Sequence, residues 1–255
     1  MKYNKQSFFG RENPVLTVMV QADNPDRIKE LIDKSSPLGA EAFGIQFEQM
    51  KPEYRNTKTY YDLFEHAKDK PLYVTNYRTA LNEGKSDETL ADEMLELADC
   101  GGNLCDVMGD LFDKQPNEVT TDKTAIKKQI SYINKLHDKG AKVLISSHVL
   151  KYTPAEEVLK IALGHQERGA DISKIVTGAD TIEQQLENLK IINMLKEKLD
   201  IPFLFLCGGE CHLLRRIGGE LGCCMYLCVY EYDALATPVH PLLKDMAQLR
   251  VLLNK

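Results

Sequence analysis

Missing from this chain are the features that tie a protein to a membrane, a nucleic acid or an oxidising compartment. No apolar run approaches the roughly 20 residues that a bilayer-spanning helix needs. The amino-terminal stretch Met1–Phe9 lacks the apolar centre of a secretory leader. There is no basic excess either: the formal charge is −6 over 255 residues, and Lys and Arg are interspersed with Asp and Glu. A nucleic-acid surface would require a basic patch. Linkers, charge blocks and low-complexity tracts are also absent. These absences lead to the expectation of a cytoplasmic protein with neither membrane nor nucleic-acid partner.

A spaced cysteine framework is lacking as well. The count is seven, an odd number, and five crowd into Cys207, Cys211, Cys223, Cys224 and Cys228. Reduced thiols are the default for such a chain. Cys207, Cys211, His212 and Cys223 could supply the nitrogen and sulfur ligands that zinc prefers. Against this, Cys223 and Cys224 are consecutive and face opposite ways on a strand. Buried thiols also serve as small apolar side chains. Ordinary core cysteines and no metal are therefore expected.

What is present is an alternation of strand and helix signals from end to end. Val15–Val20 is an apolar, β-branched run followed by Asn24-Pro25, a helix cap and first-turn proline for Asp26–Lys34. Further strands are expected at Ala42–Phe47, Pro71–Arg78, Leu104–Met108, Val143–Ser147, from Lys174 onward, Pro202–Leu206 and Gly222–Val229. Helices fall between them, the last over Pro241–Leu253. Continuous apolar runs suit parallel strands buried on both faces. An open doubly wound sheet usually carries a glycine-rich turn after its first strand, and here that turn is Val20-Gln21-Ala22-Asp23-Asn24. The expectation is one (β/α)₈ barrel, a TIM barrel, over residues 1–255.

In such a barrel, chemistry gathers at the carboxyl ends of the strands. His148 closes the fifth apolar run, and Lys174 opens the sixth. A buried lysine is expensive to keep charged, and a neutral amine beside a pocket condenses with a ketone to an imine. Singly, each has a plainer explanation: a strand-end histidine can be structural, and a lysine can snorkel to the surface. Placed on neighbouring strands, an amine nucleophile and a proton shuttle outline a Schiff-base enzyme.

The local sequences sharpen this. Leu144-Ile145-Ser146-Ser147-His148-Val149-Leu150-Lys151-Tyr152-Thr153-Pro154 resembles the catalytic-histidine segment of the type I 3-dehydroquinate dehydratases, and Gly169-Ala170-Asp171-Ile172-Ser173-Lys174-Ile175 resembles their Schiff-base lysine segment. Arg216-Ile217-Gly218-Gly219-Glu220 is similar to the family's arginine shortly before a Gly-Glu pair. The resemblance implies a (β/α)₈ hydro-lyase of the shikimate pathway, working without metal or organic cofactor and forming a possible homodimer. Lys174 would form the imine, and His148 would remove the C2 proton and protonate the departing hydroxyl. Arg216 would hold the substrate carboxylate, with Arg78, at the end of strand three, in support. Arg215 would exchange roles with Arg216 on a one-residue shift of the alignment.

Departures accompany the likeness. Where the family carries a Glu-x-Arg motif on its second strand, this chain has Gly44 and Gln46. The carboxylate that orients the histidine should fall near Asn82, with Glu83 one residue away. A glutamine after strand eight aligns loosely with His240. Three functions fit: a dehydroquinate dehydratase with a rebuilt hydroxyl-binding shell, an aldolase-like Schiff-base lyase on another keto sugar acid, and a ligand-binding paralogue without turnover. Retention of both Lys174 and His148 favours catalysis.

Overall fold

The structure is a computed structural model and describes residues 7–253; the first six residues read for a leader lie outside that range. Eight parallel strands are hydrogen-bonded in the order β7-β6-β5-β4-β3-β2-β1-β8. They are β1 (Val15–Val20), β2 (Ala42–Gln46), β3 (Leu72–Thr75), β4 (Leu104–Met108), β5 (Lys142–His148), β6 (Ile172–Gly178), β7 (Phe203–Gly208) and β8 (Met225–Cys228). Each is followed by a helix: α1 (Pro25–Ser35), α2 (Thr57–His66), α3 (Asp87–Cys100), α4 (Lys123–Asp138), α5 (Ala155–Glu167), α6 (Ile182–Lys198), α7 (Leu214–Leu221) and α8 (Leu243–Leu253). This is the (β/α)₈ barrel that the alternation implies.

Local chemistry sets the boundaries. The side chains of Asn24, Asn56, Ser86, Asp122 and Thr181 each accept a hydrogen bond from a first-turn amide, satisfying donors that a helix start leaves free. The strands from β1 to β4 and β6 are almost wholly buried, as parallel strands covered by helices should be.

Several boundaries shift from expectation, β8 being shortened from Gly222–Val229 to Met225–Cys228, and two of the shifts bear on the site. Strand β3 ends at Thr75, so Arg78 lies beyond the sheet rather than at its edge. Strand β6 begins at Ile172, which puts Lys174 inside the strand, opposite Ser146 of β5 and Leu204 of β7.

Closure between β7 and β8 is incomplete as a ladder. At the amino-terminal end, Cys224 N donates to Phe203 O at 2.9 Å. Further along, side chains take over. The Cys223 thiol accepts from Phe205 N at 3.4 Å and donates to Phe205 O at 3.6 Å. Beyond it, Arg215 Nε donates to Cys207 O at 2.8 Å. Strand seven is thus held by Arg215 near the start of α7 and by Cys223 in the connection from α7 to β8.

Candidate active site

Lys174 is the only buried lysine among the described residues, at 4% exposure. Its surroundings are polar and include a carboxylate. Nζ donates to Tyr77 Oη at 2.8 Å, to Tyr73 Oη at 3.0 Å and to Asp106 Oδ2 at 3.3 Å. Both phenols donate to that same Asp106 oxygen. The other carboxylate oxygen accepts from Ser146 Oγ at 2.5 Å. Burial, and then the Asp106 charge, hold both phenols protonated well above the ordinary tyrosine range.

Glycine at position 44 makes room for this cluster. A Cβ there would collide with the Met19 sulfur and lie 3.0 Å from the Tyr73 ring. Bare backbone on β2 therefore lets the Tyr73 ring fill the barrel axis. Gln46 ends β2, partly exposed, opposite Thr75.

His148 stands one step nearer the mouth, two residues beyond Ser146 on the same face of β5. Its ring meets that of Tyr77 edge-on, with centroids 5.3 Å apart. Neither Asn82 nor Glu83 orients it. Asn82 is buried and spends its amide on Asn76 Oδ1 and the Tyr77 carbonyl, at 2.7 and 2.8 Å. Glu83 is exposed. The partner is Glu118, in the loop after β4, whose Oε2 lies 2.6 Å from His148 Nδ1. His148 holds the Glu118 carboxyl below its ordinary range, against burial that pushes it up.

Glu118 adopts φ +51°, a conformation uncommon for a non-glycine residue. The surrounding framework imposes it. Ser147 Oγ donates to Glu118 O at 2.7 Å. The buried Arg168 donates to the carbonyls of Gly109 and Thr120, at 2.7 and 2.9 Å, gripping both ends of the loop. At Gly109 a Cβ would sit 2.5 Å from Glu118 O, so a side chain there would expel the glutamate.

The arginines divide differently from the alignment. Arg216 is exposed on the outer side of α7, whereas Arg215 is buried at 6% exposure. Arg215 meets Cys207 O and, at 3.4 Å, His240 Nδ1, but no carboxylate within 4.0 Å among the described residues. Burial lowers its pKa to about 10, so it remains charged at neutral pH. His240 is itself buried, and burial followed by the charges of Arg215, Lys174 and His148 pushes it down to about 3. A neutral imidazole and an unneutralised guanidinium therefore share the mouth with Lys174. Arg78, in contrast, is already paired: Nε and Nη2 donate to Asp87 at 2.6 and 2.7 Å, and Nη1 donates to Asp110 at 2.6 Å. It braces the loops after β3 and β4.

The cysteines do not converge. Cys207 Sγ accepts from Asn188 Nδ2 at 3.2 Å, and Cys223 faces Phe205, so the four-ligand arrangement does not form. No group of three or more His, Cys, Asp or Glu among the described residues is placed to hold a metal ion.

Fold and site together define a (β/α)₈ barrel with a strand-borne lysine and a carboxylate-held histidine on adjacent strands at the mouth. Comparison with known proteins then narrows the class. The family model of Type I 3-dehydroquinase matches residues 16–249, and the chain belongs to that family. A 3-dehydroquinate dehydratase of Alkaliphilus oremlandii is 37% identical over 93 residues, 36% of this chain and 36% of that protein. One from Lactiplantibacillus plantarum is 26% identical over 126 residues, 48% and 49% of the two chains. The matched segments thus span from about a third to a half of these relatives. The structure of the type I 3-dehydroquinate dehydratase from Clostridium difficile, with covalently modified comenic acid, superposes with a TM-score of 0.78 at 20% identity, covering 96% of this chain and 94% of that one. At that identity it speaks to the fold. Among the described residues, no helix is long and apolar enough to cross a membrane.

Proposed function

We propose that the protein eliminates water from 3-dehydroquinate to give 3-dehydroshikimate, through an imine to Lys174 with His148 as general acid and base. One observation carries the reading: a buried lysine and a carboxylate-held histidine occupy adjacent strands β5 and β6 at the barrel mouth. Lys174 attacks the C3 ketone, and loss of water leaves an iminium that draws electrons from the neighbouring C–H. The Glu118 carboxylate, 2.6 Å from Nδ1, favours the tautomer protonated there and leaves Nε2 free for the substrate. That nitrogen removes the C2 proton and returns it to the departing C1 hydroxyl.

Arg215 is the group we assign to the substrate carboxylate, because its buried charge lacks a carboxylate partner among the described residues. We assign His240 and Gln46 to substrate hydroxyls, and with Gly44 they make a less charged wall than a Glu-x-Arg pair would. This altered wall favours one further substrate class, a related β-hydroxy ketone acid. The reading includes a cytoplasmic enzyme, and a homodimer by family likeness, which sedimentation would check.

Borohydride treatment with 3-dehydroquinate, followed by intact mass and ultraviolet detection of the conjugated enone, tests the assignment. An adduct on Lys174 with enone formation is expected. An adduct elsewhere would overturn the role of Lys174, and an adduct without enone would point to a different lyase or to binding alone.

A further inference from the structure

We propose that Tyr77 is a catalytic acid–base group at Lys174, relaying a proton between Nζ and the Asp106 carboxylate as the imine forms. This rests on the imine reading above and adds the step by which the amine is released. Lys174 Nζ makes three donor contacts, to Tyr77, Tyr73 and Asp106, which account for all three N–H groups of an ammonium. An ammonium so occupied has no lone pair. It becomes a nucleophile only when one of these partners accepts a proton.

Tyr77 is built for that transfer. Its oxygen accepts from Nζ at 2.8 Å while its own O–H points at Asp106 Oδ2. Tyr73 has the same two partners but is fully buried beneath the lysine, whereas Tyr77 is partly exposed and lies against the His148 ring. A ketone approaching Nζ from the mouth therefore meets Tyr77 first. Its position is fixed from outside the cluster, since Asn82 Nδ2 donates to the Tyr77 carbonyl at 2.8 Å. The other ionisable groups around the lysine are Glu118, His148 and His240 toward the mouth, and Glu48 behind Tyr77.

The protons balance. One leaves Nζ for the Tyr77 oxygen as the Tyr77 hydroxyl proton passes to Asp106, and the freed amine bonds to the carbonyl carbon. The same path returns that proton to the carbonyl oxygen, giving a carbinolamine. A second Nζ proton follows the route and joins the hydroxyl as the C–O bond breaks and water departs. Nζ keeps its last proton in the iminium, and Tyr77 and Asp106 end as they began. Ammonium plus ketone gives iminium plus water.

Reductive methylation with formaldehyde and borohydride reports imine formation at Lys174 whatever the natural substrate. Its rate at Lys174, resolved by peptide mass across pH, is measured beside trapping by 3-dehydroquinate. Tyr77→Phe and Asp106→Asn should each slow labelling by roughly 10²–10⁴-fold, and Tyr77→Phe should move the profile to higher pH. Tyr73→Phe should stay within about tenfold, a smaller loss than the range for an acid–base group. Wild-type rate and profile in folded Tyr77→Phe would overturn the relay, as would a larger loss in Tyr73→Phe. If 3-dehydroquinate labels nothing while formaldehyde labelling still depends on Tyr77, the relay stands and the dehydroquinate reading falls.

Discussion

Glu118 Oε2 accepts two hydrogen bonds from His148, at 3.1 Å from the backbone N and 2.6 Å from Nδ1. One carboxylate oxygen thereby fixes both the strand end and the ring. Glu118→Gln keeps the shape but no longer enforces the tautomer. It should lower kcat by about 10²-fold, the lower end of the range for acid–base groups, with borohydride trapping at Lys174 retained. Steady-state rates and trapping, measured on one preparation, check both halves.

Adjacent arginines give a sharper contrast. Arg215→Ala removes a buried charge-assisted contact, worth about 1.5–3 kcal/mol, and should reduce kcat/KM by roughly 10- to 150-fold. Arg216→Ala, on the exposed side of α7, should change it less than about twofold, as surface substitutions do. Reversal of that order would restore the role that the aligned sequence gives to Arg216.

Cys223 bears on stability. Its thiol satisfies both Phe205 N and Phe205 O. Cys223→Ala should cost about 1–3 kcal/mol for buried groups left unpaired, beyond the volume lost. Cys223→Ser should recover part of it, and chemical denaturation of the three proteins measures the difference.

Acid should weaken the fold through His165, which lies between Ser147 and Ser173 at 3.1 and 3.0 Å. Burial, then Arg168, pushes it down to about 3 from 6.5. The unfolded chain binds the proton first, so this contribution is intact above the unfolded pKa and is lost as pH falls from 6.5 toward 3. At pH 5 the loss is about 2 kcal/mol. Glu48 acts with the opposite sign: burial raises it to about 7, so its contribution declines as pH climbs from 4.5 to 7. Denaturation at pH 7 and pH 5 should show a flatter pH dependence in His165→Gln than in wild type.

Much of the barrel is legible because its parallel strands are apolar runs and because Asn24-Pro25 and Asp122 mark helix starts. His148 and Lys174 are legible as polar residues in such runs, and Asp106, inside the buried run Leu104–Met108, carries the same signal. Tyr73 and Tyr77 were masked by their good strand propensity. Glu118 is distant in sequence, in a loop without periodicity, and its backbone conformation is imposed by Ser147 and Arg168. For Arg215 and Arg216 the difficulty is rotational: neighbours on a helix point about 100° apart, and which faces inward depends on where α7 begins.

The incomplete seam between β7 and β8 has a further consequence. A strand with unpaired backbone groups is an edge, open to foreign strands, and here a thiol and a guanidinium cover it. Arg215, which we assign to the substrate anion, is thus also a stitch in the wall. Cys207 O would be claimed by a neighbouring strand if the ladder ran to its end, leaving Arg215 without its anchor. Under that assignment affinity and closure share one side chain, and replacing Arg215 to change the charge recognised there would also unpin Cys207 O.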